Sequence, residues 1–163
     1  MIRPARLEDA ENITSIYNHY IKNSSATFEV EPIGVTQMIA RIEECEKHGY
    51  PWLVAERDGE IIGYTYATQW KARSAYQHTV EASVYLAPES RGQGWGTKLF
   101  KELLEILKAH HIHAVIGSVA LPNNPSIALL EKFGMEKVGH LKEVGRKFDQ
   151  WVDVGFWQLL LKY

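Results

Sequence analysis

Apolar positions along this chain switch between two periods, and the switches mark its elements. "IRPAR" is short and suits an opening strand. Ala10, Ile13, Ile16, Tyr17, Tyr20 and Ile21 then recur at three- and four-residue steps, which predicts one face of a helix. "NSSATFEVEPIG" breaks that pattern and reads as a loop. Val35, Met38, Ile39, Ile42 and Cys45 predict a second helix that ends near Gly49 and Pro51. "WLVAERDGEIIGYTYATQW" holds two β-rich runs joined by Asp58-Gly59, a strong hairpin signal. "KARSAY" interrupts, and "TVEASVYLA" is the next strand. A helix follows with Leu99, Leu103, Ile106 and Leu107 toward the core, and then the strand "AVIGSVAL". In "NNPSIALLEKFG", Asn124 is expected as the N-cap, Pro125 suits the first turn and Gly134 the exit. "MEKVGHLKEVG" and "WVDVGFWQLLLKY" close the chain as two strands around a polar turn. The order β-α-α-β-β-β-α-β-α-β-β predicts an α/β fold, a mixed sheet with helices packed against it.

The bulk numbers narrow the class. A length of 163 residues fits one domain over 1–163. Apolar residues make up 45% and charged residues 23%, as in ordinary globular proteins. Net charge is −2 with no basic stripe, which argues against nucleic acid as the partner. Cys45 is the sole cysteine, so no internal disulfide forms, in keeping with a reducing cytoplasm. The start is too polar for a signal peptide, and no apolar run nears the ~20 residues that span a bilayer. A cytoplasmic protein with no membrane partner is expected. His110, His111 and His113 sit where a helix ends, and no cysteine or paired carboxylate completes a metal site there, so no metal is expected.

"RGQGWG", Arg91 to Gly96, stands between a strand and a helix. Gly92, Gly94 and Gly96 allow positive φ and close approach of a ligand to the main chain. The N–H groups that open the next helix have no intrahelical acceptor, and partial positive charge gathers there. Such a turn can hold phosphate oxygens, with Arg91 and Lys98 adding full charge. The spacing is neither a Walker A loop nor the dinucleotide G-x-G-x-x-G.

Arg91-Gly92-Gln93-Gly94-Trp95-Gly96 matches the R/Q-x-x-G-x-G/A signature of the GNAT N-acetyltransferases, and "NNPSIALLEKFGM" resembles that family's second CoA-contacting segment. "WKAR" (Trp70 to Arg73), "TVEASVYL" and "GRKFDQWVDVGFWQLLL" resemble one branch, the phosphinothricin and methionine sulfoximine acetyltransferases. The resemblance runs nearly the full length. It implies the GNAT fold and acetyl transfer from acetyl-CoA to the α-amino group of a small amino acid or analogue. It also implies a homodimer with each acceptor pocket near the subunit interface.

Acetyl transfer to an amine needs a base, because an ammonium group has no lone pair to attack with. Glu81 is the candidate. Alternation puts it with Ser83 and Tyr85 on the face opposite Val80, Ala82 and Val84, and the resemblance points to the same position. A surface glutamate on a strand is the plain alternative. In GNAT enzymes a splayed strand end supplies main-chain N–H groups, here near Val84, Tyr85 and Leu86, and the loop through Thr97 holds the CoA diphosphate. Asn124 has two readings: it only caps its helix, or, as the resemblance implies, it also bonds the CoA arm, with Ser126 beside it. Tyr85 and Trp95 read chiefly as packing residues.

Arg73 is the candidate anchor for the acceptor carboxylate, which suits a planar cation. Phe28 and Tyr76 would line the pocket, and Lys147 and Phe148 would reach the neighbouring subunit's pocket. One departure stands out. Leu130 occupies the position of a histidine in the herbicide-detoxifying phosphinothricin enzymes. Two other readings stay open: a different amine as acceptor (a protein N-terminus, polyamine or aminoglycoside), and a CoA-binding sensor without turnover.

Overall fold

The computed structural model describes residues 1–162. Its order is β1 (Ile2–Pro4), α1 (Ala10–Asn23), α2 (Val35–Lys47), β2 (Trp52–Arg57), β3 (Glu60–Gln69), β4 (Thr79–Leu86), α3 (Trp95–Ala109), β5 (Ala114–Ala120), α4 (Asn124–Lys132), β6 (Glu136–Lys147) and β7 (Gln150–Leu160). This is the order the hydrophobic periods predict. The predicted last strand runs to Tyr163, which lies outside the described residues, and the observed strand stops at Leu160. The strands form one sheet in the order β1-β2-β3-β4-β5-β7-β6, and only the β4–β5 pair is parallel.

Each face of the sheet buries a separate core. Leu99, Phe100, Leu103 and Leu107 of α3 pack on Val80 and Ala82 of β4 and Val115 of β5. Ile106 is only partly buried at the margin of that cluster. On the other face, Ile13, Tyr17, Tyr20 and Ile21 of α1 and Met38 and Ile42 of α2 cover Trp52, Val54 and Tyr64. The two strand faces were readable from alternation, and this division follows from it.

Two local features position the site. The β2–β3 hairpin turns at Asp58 and Gly59, both at positive φ, as a tight two-residue turn requires. A register shift between Ala55 and Glu56 then sets Trp52 opposite Tyr66. The β4–β5 ladder is short. It pairs Thr79 with Ala114, Val80 with Val115 and Glu81 with Ile116, and goes no further, so the two strands fork beyond Glu81.

Candidate active site

Glu81 sits at the fork itself, half-buried, on the face covered by α1 and α2. Across the β3–β4 ladder it faces Thr68, while Ser83 faces Tyr66 and Tyr85 faces Tyr64. Side chains so opposed lie about 5 Å apart at Cβ. Burial pushes the Tyr66 phenol up to about 12, with the Glu81 charge adding to it, and pushes Tyr85 further. Both phenols are therefore neutral neighbours of the carboxylate.

The fork also exposes main chain. Trp70 N–H donates to Thr79 O, and Ala87 N–H donates to Ile62 O, so the odd-numbered residues of β4 exchange their bonds with β3. Val84 and Leu86 turn their amides to the opposite edge, where β5 has already diverged. The Leu86 carbonyl accepts the Tyr20 hydroxyl. Tyr85 itself packs against Tyr17, Tyr20 and Tyr64, as a packing residue should.

The glycine loop follows β4 through the turn Pro88–Ser90. Gly92 and Gly94 hold φ at +75° and +85°, conformations that other residues adopt at a cost. Gly96 does not, contrary to expectation. It lies within α3, and a Cβ there would meet Leu86 and Leu129 at ordinary contact distances of 3.6 and 3.7 Å. None of the main-chain amides from Gly92 to Thr97 finds an acceptor among the described residues, and the first bond into the helix is Lys98 N–H to Gly94 O at 3.2 Å. The loop is braced from outside: Arg57 donates to Gln93 Oε1 at 2.7 Å, and Gln93 Nε2 donates to Glu89 O. Lys98 stands over the Trp95 ring, and Arg91 reaches back to Pro88 O. Free amides at a helix start fit a diphosphate, and the residues present thus suit a CoA group.

The predicted cap of α4 is corrected by one residue. Asn123 is the N-cap, its Oδ1 accepting Ser126 N–H at 3.2 Å. Asn124 is the first residue of the helix, exposed, with Pro125 next to it, so its amide side chain has no cap to serve. Leu130 is buried and packs on Gly117 of β5, where a Cβ would fall 2.7 Å from it.

On the Glu81 side a cavity of about 780 Å³ opens between the helices and the sheet. Tyr17, Arg41 and Cys45 form its helical wall, and Trp52, Tyr64 and Tyr66 form its strand wall. Thr68 to Ala72 make its rim. Trp52 stacks on Tyr66 with centroids 4.2 Å apart. Burial pushes the Cys45 thiol up to about 11, which keeps it protonated and unreactive. Arg73 follows the rim directly; it is exposed, and its guanidinium has no partner among the described residues. Tyr76 lies exposed in the short turn beyond it.

The loop before α2 is tied down by charges. Glu29 accepts from Arg41 at 2.9 Å and from the Tyr17 hydroxyl, which also meets Thr27 Oγ1 at 2.8 Å. Phe28 lies across β6, where a Cβ on Gly145 would fall 2.5 Å from its ring. Lys147 departs from expectation. It is 4% exposed, and its ammonium donates to Thr27 O of its own chain at 2.7 Å rather than projecting outward. Phe148 does project, 55% exposed at the β6–β7 turn. The structure thus puts Glu81 at the fork, the glycine loop beyond the end of the same strand and Arg73 just past the cavity's rim, and spends Lys147 inside the chain.

Sequence reasoning missed Trp52, Tyr66 and Tyr17 as cavity walls, and the Glu29–Arg41 pair. Aromatic alternation in "WLVAERDGEIIGYTY" was the available signal for the first two. Nothing in the spacing pairs Glu29 with Arg41 across a loop.

Residues 2–155 match the family model described as the acetyltransferase (GNAT) domain. The chain is 41% identical over 157 residues to a phosphinothricin N-acetyltransferase of Streptomyces viridochromogenes, covering 96% of this chain and 85% of that one. It is 34% identical over 161 residues to the L-methionine sulfoximine/L-methionine sulfone acetyltransferase of Pseudomonas aeruginosa, covering 98% and 94%. Among solved structures it resembles a GNAT superfamily phosphinothricin acetyltransferase from Sinorhizobium meliloti in complex with AcCoA, with TM-score 0.97 and 36% identity over 99% of this chain and 88% of that one.

Proposed function

This chain belongs to the GNAT family and is an acetyl-CoA-dependent N-acetyltransferase, and we propose that its acceptor is the α-amino group of a small amino acid or analogue of the phosphinothricin, methionine sulfoximine or methionine sulfone type. The observation that carries this reading is the placement of Glu81 at the β4–β5 fork, beside a cavity whose rim leads into Arg73. The names of the relatives support the acceptor class.

Bound acetyl-CoA supplies the activated acetyl thioester. Amides of Gly92 to Thr97 hold its diphosphate, and the exposed side chain of Asn124 meets its arm, near Ser126. Arg73 takes the acceptor carboxylate in a two-point grip. Glu81 removes one proton from the α-ammonium, directly or through one water, and frees the lone pair; as the new C–N bond forms the C–S bond breaks, and coenzyme A leaves as its thiol with a second proton from the nitrogen. The Val84 amide, turned into the fork, receives negative charge that builds on the thioester oxygen. Holding amine and thioester together in the fork contributes much of the remaining acceleration. Phe28 closes one side of the pocket, and Tyr76 lies near Arg73.

The active form is a homodimer. The β6–β7 hairpin supports this, since Leu141, Val144, Phe148 and Trp151 are all exposed apolar residues on it. Phe148, not Lys147, is the side chain free to enter a partner's pocket.

Thiol release from acetyl-CoA across a panel of amines tests the assignment. Methionine sulfone, methionine sulfoximine and phosphinothricin are set against a polyamine and an N-terminal peptide. Turnover of the amino acids is expected, with Glu81→Gln lowering kcat by roughly 10²–10³ while the acetyl-CoA Kd stays within twofold. Full activity in Glu81→Gln would remove the base, and turnover confined to the polyamine or peptide would remove the acceptor assignment.

A further inference from the structure

Lys147 carries a charge into the interior. It is 4% exposed at the end of β6, and its ammonium donates to Thr27 O at 2.7 Å. The turn that follows fixes its place: Phe148 and Asp149 both hold positive φ, and Lys147 pairs with Gln150 across them. Burying an ammonium gives up its hydration, and one carbonyl offsets only part of that loss. A methionine would fill the same space without it, so stability alone does not account for a lysine here.

The loop that Lys147 reaches, residues 24–34 between α1 and α2, depends on side chains for its position. Among the described residues, no main-chain bond joins residues 25–33 to any other main chain. Asn18 pins one end, its Nδ2 donating to Ile33 O and its Oδ1 accepting Ile33 N–H, both at 2.9 Å. Lys147 pins the other end at Thr27. Gly145, two residues earlier on the same face of β6, leaves the Phe28 ring its room.

From Thr27 the ties run on to the cavity. Thr27 Oγ1 meets the Tyr17 hydroxyl at 2.8 Å and accepts Glu29 N–H at 3.3 Å. Tyr17 donates to the Glu29 carboxylate, which Arg41 holds through two further bonds. Tyr17 and Arg41 both line the cavity, the guanidinium 5.7 Å over the phenol ring. A shift at Thr27 therefore carries to both. Glu81 and the fork lie on the sheet, outside this chain of bonds.

We propose that Lys147 is a positioning residue for the acceptor: through the Thr27 carbonyl and the Glu29 carboxylate it holds Tyr17 and Arg41, the helical wall of the cavity, where the acceptor meets them. This rests on the amino-acid reading above and adds a residue to it. The β6–β7 hairpin thereby acts on the acceptor cavity of its own chain.

The test follows initial rates against L-methionine sulfone at saturating acetyl-CoA. Lys147→Met keeps the stem and removes the charge and the donor. Its acceptor KM should rise roughly tenfold, with kcat within threefold and the acetyl-CoA Kd within twofold. Glu29→Gln should raise KM in the same way, and the double variant should go no higher than the worse single one, because both act through one loop. An unchanged KM in Lys147→Met, a fall in kcat as large as the rise in KM, or a double variant in which the two effects multiply overturns the inference and leaves the acetyltransferase reading in place. A wild type that acetylates no amino acid overturns the acceptor reading and this inference with it. Should Lys147→Met fail to fold, Glu29→Gln decides the matter, since it leaves the buried lysine in place: a rise in acceptor KM alone supports the relay, and an unchanged KM overturns it.

Discussion

Gly94 holds φ at +85° one residue before α3, with open space where a Cβ would stand. Its small size therefore serves the backbone conformation and whatever approaches the loop, not packing. Gly94→Ala should cost about 1 kcal/mol of strain and tilt the amides that follow. Calorimetry should show the acetyl-CoA Kd raised about tenfold, with the acceptor KM changed less than twofold. An unchanged Kd would remove the loop from the diphosphate site. The loop was legible at this scale because its signal is local: glycines, an arginine and a helix start, all within a few positions. Asn123 shows the limit. Two adjacent asparagines offer the same cap chemistry, and only the backbone decides that Asn123 stays outside the helical conformation and Asn124 enters it.

Elements meet through contacts that no single period announces. Arg3 on β1 grips Asp9 just before α1 through two bonds of 2.8 and 2.9 Å, with both side chains largely buried. Asp9 also accepts Arg6 N–H at 2.8 Å. Hydrogen bonds from Arg3, against the opposing effect of burial, hold the Asp9 carboxyl below its usual range. A carboxyl depressed by folding stabilises the fold above its unfolded pKa, near ~4, and ceases to do so as pH falls through the lower folded value. Asp9→Asn should therefore destabilise by about 2 kcal/mol at pH 7, since it removes the two charge-assisted bonds and leaves the largely buried Arg3 only its 3.4 Å ion pair with Glu56 and a bond to Pro4 O. Urea midpoints should show the gap between wild type and variant narrowing below pH 4. A gap constant down to pH 2 would contradict this linkage. The helices and strands themselves were readable, because each buries one face and its pattern records that face. The fork was not. "TVEASVYL" and "AVIGSVAL" look like ordinary strands, and nothing in either says that pairing stops at Glu81 and Ile116.

At the scale of the whole molecule, the sheet ends in a hairpin that leaves several apolar side chains open among charged ones. Phe148 is 55% exposed and Trp151 60%, with Arg146 lying 4.6 Å over the Trp151 ring. If this hairpin joins two copies, Trp151→Ser should shift sedimentation from dimer toward monomer at micromolar protein while leaving the thermal transition of the monomer within a few degrees. A wild type that sediments as a monomer at tens of micromolar would sink the dimer. Among the described residues no helix is long and apolar enough to cross a membrane. The sequence by itself determined the order of elements, the two buried faces of β4, the glycine loop and the position of Glu81, because period, turn chemistry and local composition act over a few residues. Tertiary structure alone decided what surrounds them. The shift between Ala55 and Glu56 carries Trp52 from a place opposite Thr65, where an unbroken ladder from the Asp58-Gly59 turn would leave it, to a place opposite Tyr66. One residue of slip flips a whole strand face, and such a slip, like the parting of β4 from β5, depends on the packing of the whole sheet and not on any stretch of chain that can be read alone.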